Sequence, residues 1–213
     1  MELKLLLPLK PFILTQYYGE DLACVDTKTR KTVIGRTGAV CPSGFVSLYT
    51  ASGMLGHNGL DASARRWQPI HSSTEGVVRE ISTDENRGLG IGIITENEYE
   101  FAGQTSQAKI RYWHLAGMAV VEGQRVKAGQ LIGWADNTGY SSGDHLHYEL
   151  KPVAKNSRGE YYNLFLSNGY YGAVDPFHYM AQMNTFEIEF FILRAKAMFA
   201  DIALKVALKL TGK

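Results

Sequence analysis

Long apolar runs are missing from this chain of 213 residues: stretches such as Phe190-Phe191-Ile192-Leu193 fall far short of the roughly 20 residues that a bilayer-spanning helix needs. A charge excess is missing too. Twenty-two Lys and Arg face 21 Asp and Glu, leaving +1, so no global field draws the chain to nucleic acid or to an anionic membrane. A shortage of apolar residues joined to high net charge would mark disorder; a composition 45% hydrophobic and 11% aromatic is that of a globular domain instead. Cysteine is scarce. Cys24 and Cys41 lie in one polar stretch without the close spacing of a thiolate zinc site, and they either close a single disulfide loop or stand as two thiols. No signal peptide is read at the N-terminus, because Pro8 and Lys10 interrupt the first apolar run and Glu2 sits where positive charge belongs. Repeats and low-complexity tracts are absent.

Helical periodicity is also rare before residue 185. Residues 1–19 read as a short apolar strand ending in Tyr17-Tyr18-Gly19, and residues 20–55 as a polar surface excursion rich in Gly, Thr and Ser. From 69 to 151 come short β-type runs punctuated by glycine: Gly76-Val77-Val78, Ile91-Gly92-Ile93-Ile94, Lys109 to Trp113, Leu131-Ile132-Gly133-Trp134 and His147 to Leu150. Strands of this length at this spacing predict a mainly β chain, an antiparallel sandwich or partly open barrel. The end of the chain differs. From Phe186 to Leu210 there is no Gly or Pro; Phe191, Ala195, Met198, Ile202 and Val206 share one face, and Arg194, Asp201, Lys205, Lys209 and Lys213 another. That pattern predicts an amphipathic α-helix of about 25 residues, roughly 37 Å long. Packing on its own domain or on a second copy is the expectation for it, and contact with an anionic membrane the sharper alternative.

Chemistry concentrates in the histidines. His57 and Asp61 are four apart in Gly56-His57-Asn58-Gly59-Leu60-Asp61, and His145 and His147 two apart in Asp144-His145-Leu146-His147-Tyr148-Glu149. In a strand, i and i+2 point to one face, so both imidazoles of the second pair can reach one ion. Gly59 lets the first pair bend together. Two histidines and a carboxylate form an N/O donor set suited to zinc, and three protein ligands leave a fourth position for water. Either pair alone is a weak signal. Glu149 shares a face with the second pair, as a supporting partner or an ordinary strand ion pair. Asp144 reads as a solvated turn residue, and His71 and His178 as surface or packing histidines. Gly88, Gly90 and Gly92 suggest a phosphate loop, but no helix follows and the signal is set aside.

Between the pairs lie Tyr112-Trp113-His114-Leu115, a hairpin from Glu122 to Gly133 and Thr138-Gly139-Tyr140-Ser141-Ser142-Gly143. In this order the elements resemble the lysostaphin/LytM-type zinc endopeptidases: H-x-G-x-D, Y-x-H-L, V-x-x-G-Q-x-I-G, then T-G-x-S-x-G-x-H-L-H-F-E, with Tyr148 for the usual phenylalanine. The likeness runs from Gly56 to Pro176-Phe177, with a weaker echo at Gln16-Tyr17-Tyr18-Gly19. It implies an antiparallel β-fold with an open groove, one zinc ion per chain held by His57, Asp61 and His147, and His114 and His145 lining the cleft. It also implies hydrolysis of amides in peptidoglycan stem peptides or cross-bridges. The chain has no H-E-x-x-H, so a histidine rather than a glutamate is expected as base, His114 first, with His145 stabilising charge.

The domain expectation is residues 1–180 as one LytM-type unit with an insertion at about 20–55, then a helical tail over 181–213. The partner expected is peptidoglycan, with no nucleic acid. Without a signal peptide, a phage-type lysin or virion-associated enzyme is expected, made in the cytoplasm and acting at the wall; a bacterial enzyme exported by another route is the alternative. A non-catalytic wall-binding or amidase-activating module competes, but all five positions carry chemically competent residues. A biotinyl or lipoyl carrier fits the Glu122–Gly133 hairpin, yet Lys127 lies before Gly129 in no Met-Lys-Met or Asp-Lys-Ala context, and neither that nor a phosphohistidine carrier explains His57, Asp61 and His147 together.

Overall fold

A computed structural model describes residues 1–181 apart from 22, 27, 30, 31, 35–40, 42 and 85. The expected C-terminal helix therefore lies outside the described residues. In chain order the elements are β1 (Leu14–Gln16), β2 (Ala23–Asp26), β3 (Thr32–Ile34), β4 (Phe45–Ser47), α1 (Leu48–Ala51), β5 (Leu60–Ser63), β6 (Pro69–His71), β7 (Gly76–Asp84), β8 (Gly88–Phe101), β9 (Gln104–Met118), β10 (Arg125–Val126), β11 (Leu131–Ala135), β12 (His145–Lys155) and β13 (Tyr161–Asn163). Two short 3₁₀ turns follow, Leu166–Asn168 and Pro176–Tyr179. No helix among the described residues is long and apolar enough to cross a membrane.

The chain divides into two compact units. One comprises residues 1–20 and 49–181; the described part of the other is drawn from 21–48. In the second unit β2 pairs antiparallel with β3 on one side and β4 on the other. Cys24 and Cys41 are joined by a disulfide, their Cα atoms 5.7 Å apart. Both thiols are thus removed from metal chemistry. The stretch expected as an irregular excursion is, in its described part, a small cross-linked sheet.

The first unit is built on one ten-stranded sheet in the order β1-β5-β12-β9-β8-β7-β10, with β13 on β12 and β11 bridging β6 to β9. All its strand pairings are antiparallel. This bears out the mainly β, antiparallel class, with the strands joined in one open sheet. β9 makes that continuity possible: its 15 residues pair with β8, β12 and, past two register shifts, β11. Residues 95–107 form the far end of the β8–β9 hairpin, paired from Glu98↔Gln107 to Phe101↔Gln104.

Alternation separates the two faces of this sheet. Leu146, Tyr148 and Leu150 of β12, Ile110 and Tyr112 of β9, and Ile91 and Ile93 of β8 point into the core, each at most 1% exposed. Removing such side chains from water contributes roughly 1.5–3 kcal/mol apiece. Leu3, Leu5, Leu9 and Phe12 complete the core from the N-terminal segment. The intervening positions, His145, His147, Glu149 and Lys151 on β12 with Arg111 and Trp113 on β9, share the opposite face. There the chemistry gathers.

Candidate active site

Register brings the first two groups together. His147 of β12 stands directly across from Asp61 of β5, and across from Trp113 of β9 on its other side. Directly opposed residues are within side-chain reach, and His147 Nδ1 lies 2.8 Å from Asp61 Oδ1. His57 arrives from the loop before β5. Its backbone is clamped by two hydrogen bonds, Gly19 N to His57 O and His57 N to Glu20 O. Between His57 and Asp61 the loop lies flat on the β12 histidine: a Cβ on Gly59 would come 2.5 Å from Tyr148 O and 2.9 Å from His147 Cε1. Only glycine fits there. The result places His57 Nε2 3.2 Å from Asp61 Oδ1 and 2.8 Å from His147 Nδ1.

The outer hydrogen bonds decide which ring nitrogens face inward as lone pairs. A carbonyl oxygen only accepts, so the 3.1 Å contact from His57 Nδ1 to Tyr17 O puts the proton on Nδ1. His147 Nε2 likewise donates to Glu149 Oε1 at 3.2 Å. In the neutral rings, His57 Nε2 and His147 Nδ1 then point lone pairs at each other and at a carboxylate oxygen. Such a triangle is repulsive unless a proton or a cation lies within it. Its edges of 2.8–3.2 Å compare with roughly 3.3 Å between ligands of a tetrahedral zinc bonded at about 2.0–2.1 Å. The donor set fits a borderline divalent ion with only a small outward adjustment. Among the described residues these three form the one cluster of His, Cys and acidic groups able to hold a metal.

Electrostatics agree. Burial alone would depress the His147 imidazole, but hydrogen bonds to Asp61 and Glu149 raise it to about 9. Burial would raise Asp61, yet the neighbouring His57 and His147 hold its carboxyl well below the usual carboxylate range. Glu149 is held low against burial by Arg111 first, then by His147 and Lys151. The site thus keeps two buried anions beside its imidazoles, an environment made for positive charge.

Two more histidines close the cleft. His114 is the extra residue in a β-bulge, where Leu89 pairs with Leu115 and Gly90 with Trp113, and its φ is +64°. A non-glycine residue in the left-handed region is strained, and the bulge redirects its ring. The ring centroid comes to 4.6 Å from that of His145 and 6.0 Å from that of His147. His114 Nδ1 donates to Thr138 O at 2.6 Å, and His145 Nδ1 to Gly143 O at 2.8 Å, with Ser141 Oγ at 3.0 Å. Both therefore keep Nε2 unprotonated when neutral. Burial, with His147 and His145 close by, pushes His114 down to about 3. His145 Nε2 lies 3.6 Å from Asp61 Oδ2.

All five residues singled out from the sequence thus converge. His71 on β6 and the exposed His178 beside Asp175 stay outside, and Asp144 is exposed. Glu149 makes both kinds of contact: it accepts from His147 and pairs with Arg111 and Lys151. Missed were Asn58, which donates to Glu149 at 3.0 Å, and the Trp113 ring, which lies over Gly90. The alternation Gly88-x-Gly90-x-Gly92 carried the second signal, as bare strand surface able to take an indole.

Part of this chain resembles known proteins. The chain is 37% identical over 94 residues to the peptidoglycan DD-endopeptidase ShyA of Vibrio cholerae, covering 44% of this chain and 20% of that protein. It is 37% identical over 94 residues to the glycyl-glycine endopeptidase ALE-1 of Staphylococcus capitis, covering 44% and 24%. The match therefore spans only about a fifth to a quarter of the length of these relatives. Among solved structures, the catalytic domain of lysostaphin from Staphylococcus simulans aligns at 26% identity and a TM-score of 0.45, over 60% of this chain and 80% of that one. Residues 55–161 match peptidase family M23, just over half of the 213 residues and a span that takes in every group of the cluster from His57 to His147; the chain belongs to that family.

Proposed function

We propose that this protein is a zinc-dependent endopeptidase that hydrolyses amide bonds in peptidoglycan stem peptides or cross-bridges. His57, Asp61 and His147 hold the ion, and His114 and His145 carry the proton chemistry. The catalytic domain is assigned to residues 1–180, with 181–213 as an appended tail. The observation that carries this reading is the convergence of three lone-pair donors within 3.2 Å of one another. The substrate class rests on membership of family M23 and on what the curated relatives are named for.

Zinc at such a site supplies Lewis acidity toward an amide carbonyl and toward water near neutral pH. The chain's own groups supply the rest. His114 is uncharged at neutral pH, and its Nε2 lone pair is free to take a proton from the attacking water. Thr138 O holds the Nδ1 proton, so the ring can act only through Nε2. His145, once protonated at Nε2, donates toward the developing oxyanion, with Asp61 Oδ2 at 3.6 Å offsetting its charge. The proton gained by His114 is then available to the departing amine. A non-catalytic wall-binding module would need none of this.

The test is digestion of a defined sacculus by the purified chain, with the released muropeptides read by mass spectrometry. Activity should vanish on chelation and return with zinc. Activity indifferent to chelation, or no new amine termini, overturns the reading.

A further inference from the structure

The Glu149 carboxylate touches both arms of the His57–Asp61–His147 cluster. Its Oε1 accepts from His147 Nε2 at 3.2 Å and from Asn58 Nδ2 at 3.0 Å, and Asn58 directly follows His57 in the loop leading to Asp61. Oε2 is fixed by Arg111 Nη1 at 3.0 Å and Lys151 Nζ at 3.1 Å. Arg111 is itself held from two other directions: Nη2 donates to Glu80 Oε1 at 2.6 Å, and the guanidinium carbon sits 4.3 Å from the Trp113 ring centroid. The Glu149 side chain is 5% exposed.

Stability is a poor explanation for so much buried charge. Desolvating a carboxylate and two cations offsets most of their attraction, and apolar side chains of similar volume often serve as well or better. An apolar cluster cannot, however, present a fixed acceptor to an imidazole N–H and an amide at once. We propose that Glu149 is a positioning residue that pre-assembles the metal cluster: it fixes His147 with its Nδ1 lone pair inward, and through Asn58 it keeps the His57–Asp61 loop in reach of β12. This rests on the reading of the cluster as a metal site. Acceptors behind a ligating histidine typically govern metal affinity by roughly 10–100-fold.

The experiment measures zinc affinity of the full chain by competition with a chromogenic chelator, together with the visible spectrum of the cobalt-substituted protein and a thermal melt. Glu149→Ala should weaken zinc by roughly 10–100-fold and alter the cobalt spectrum. Glu149→Gln keeps an oxygen for His147 Nε2 and should recover most of the affinity. Asn58→Ala should weaken zinc by a smaller factor, and adding it to Glu149→Ala should cost nothing further, because the amide has already lost its acceptor. A Glu149→Ala protein that melts earlier yet keeps the parent's zinc affinity and cobalt spectrum makes Glu149 a strand ion pair only, and overturns the proposal. If that variant does not fold, Asn58→Ala decides, since it leaves the ion pairs with Arg111 and Lys151 intact; unchanged zinc affinity there overturns the proposal as well. A parent protein that takes up no zinc is a distinct result, and it removes the metal reading itself.

Discussion

On the proposed metal reading, protons and a cation compete for the same three atoms at His57, Asp61 and His147, and proton linkage gives that competition a sign. In chelated protein, His147 is raised to about 9 from its ordinary 6.5. The folded state therefore binds more protons than the unfolded one between those values, and the stability His147 contributes is complete below 6.5 and lost as pH rises to about 9. His114 is depressed to about 3, so its contribution is present above 6.5 and lost as pH falls toward 3; Asp61 and Glu149, both held low, add to that acid loss further down. Melting temperature in chelator should thus peak near pH 6.5. Zinc displaces the His147 proton, so the loaded protein should lose the alkaline slope, and a chelated protein whose melting temperature rises from pH 7 to 9 contradicts the assignment. Substitution separates ligands from proton carriers at the same scale. His57→Ala should lose tightly bound zinc by metal analysis. His114→Asn should keep it while losing roughly 10²–10⁴-fold in peptide hydrolysis.

At the scale of elements, the sequence disclosed local pairs and concealed what brings them together. The H-x-H on β12 was readable because period-two alternation is a property of one strand. That His147 faces Asp61 was not, since register joins segments 86 residues apart and is set by the whole sheet. The bulge at His114 left no trace in Trp113-His114-Leu115, where nothing announces a left-handed residue. Residues 20–55 looked irregular because their strands are only three or four residues long. Among the glycines of β8, Gly90 has a packing role that can be measured. A Cβ on Gly90 would lie 2.4 Å from Trp113 Cε3, in a ring that is 7% exposed and has little room to yield. Gly90→Ala should destabilise by about 1–3 kcal/mol, the usual cost of overpacking. Denaturant unfolding checks this, and a loss below about 0.5 kcal/mol, the range of ordinary surface changes, means the indole is not pinned.

For the whole molecule, the end of the unit that carries the metal cluster lies beyond the family match. The family match stops at residue 161, yet chain beyond it is structurally committed. Leu5, fully buried, donates its N–H to Tyr179 O and accepts from Ala181 N, and it forms a bridge with Met180. Phe177, Tyr179 and Met180 pack against the core. The N-terminal segment is therefore fastened by residues 177–181, and a boundary at 161 would strip that fastening from Leu3, Leu5 and Leu9. The first unit closes at 181. Two truncations distinguish the alternatives. A chain ending after Ala181 should keep stoichiometric zinc and cleave soluble muropeptides at the parent rate, while acting less well on whole cells or self-associating less, as expected of an amphipathic appendage. A chain ending after Asp175 should melt well below both, because Leu5 loses its partners and the apolar segment around it is exposed. If the chain ending after Ala181 already loses zinc, the tail belongs to the metal-binding fold and the boundary assigned to it is wrong.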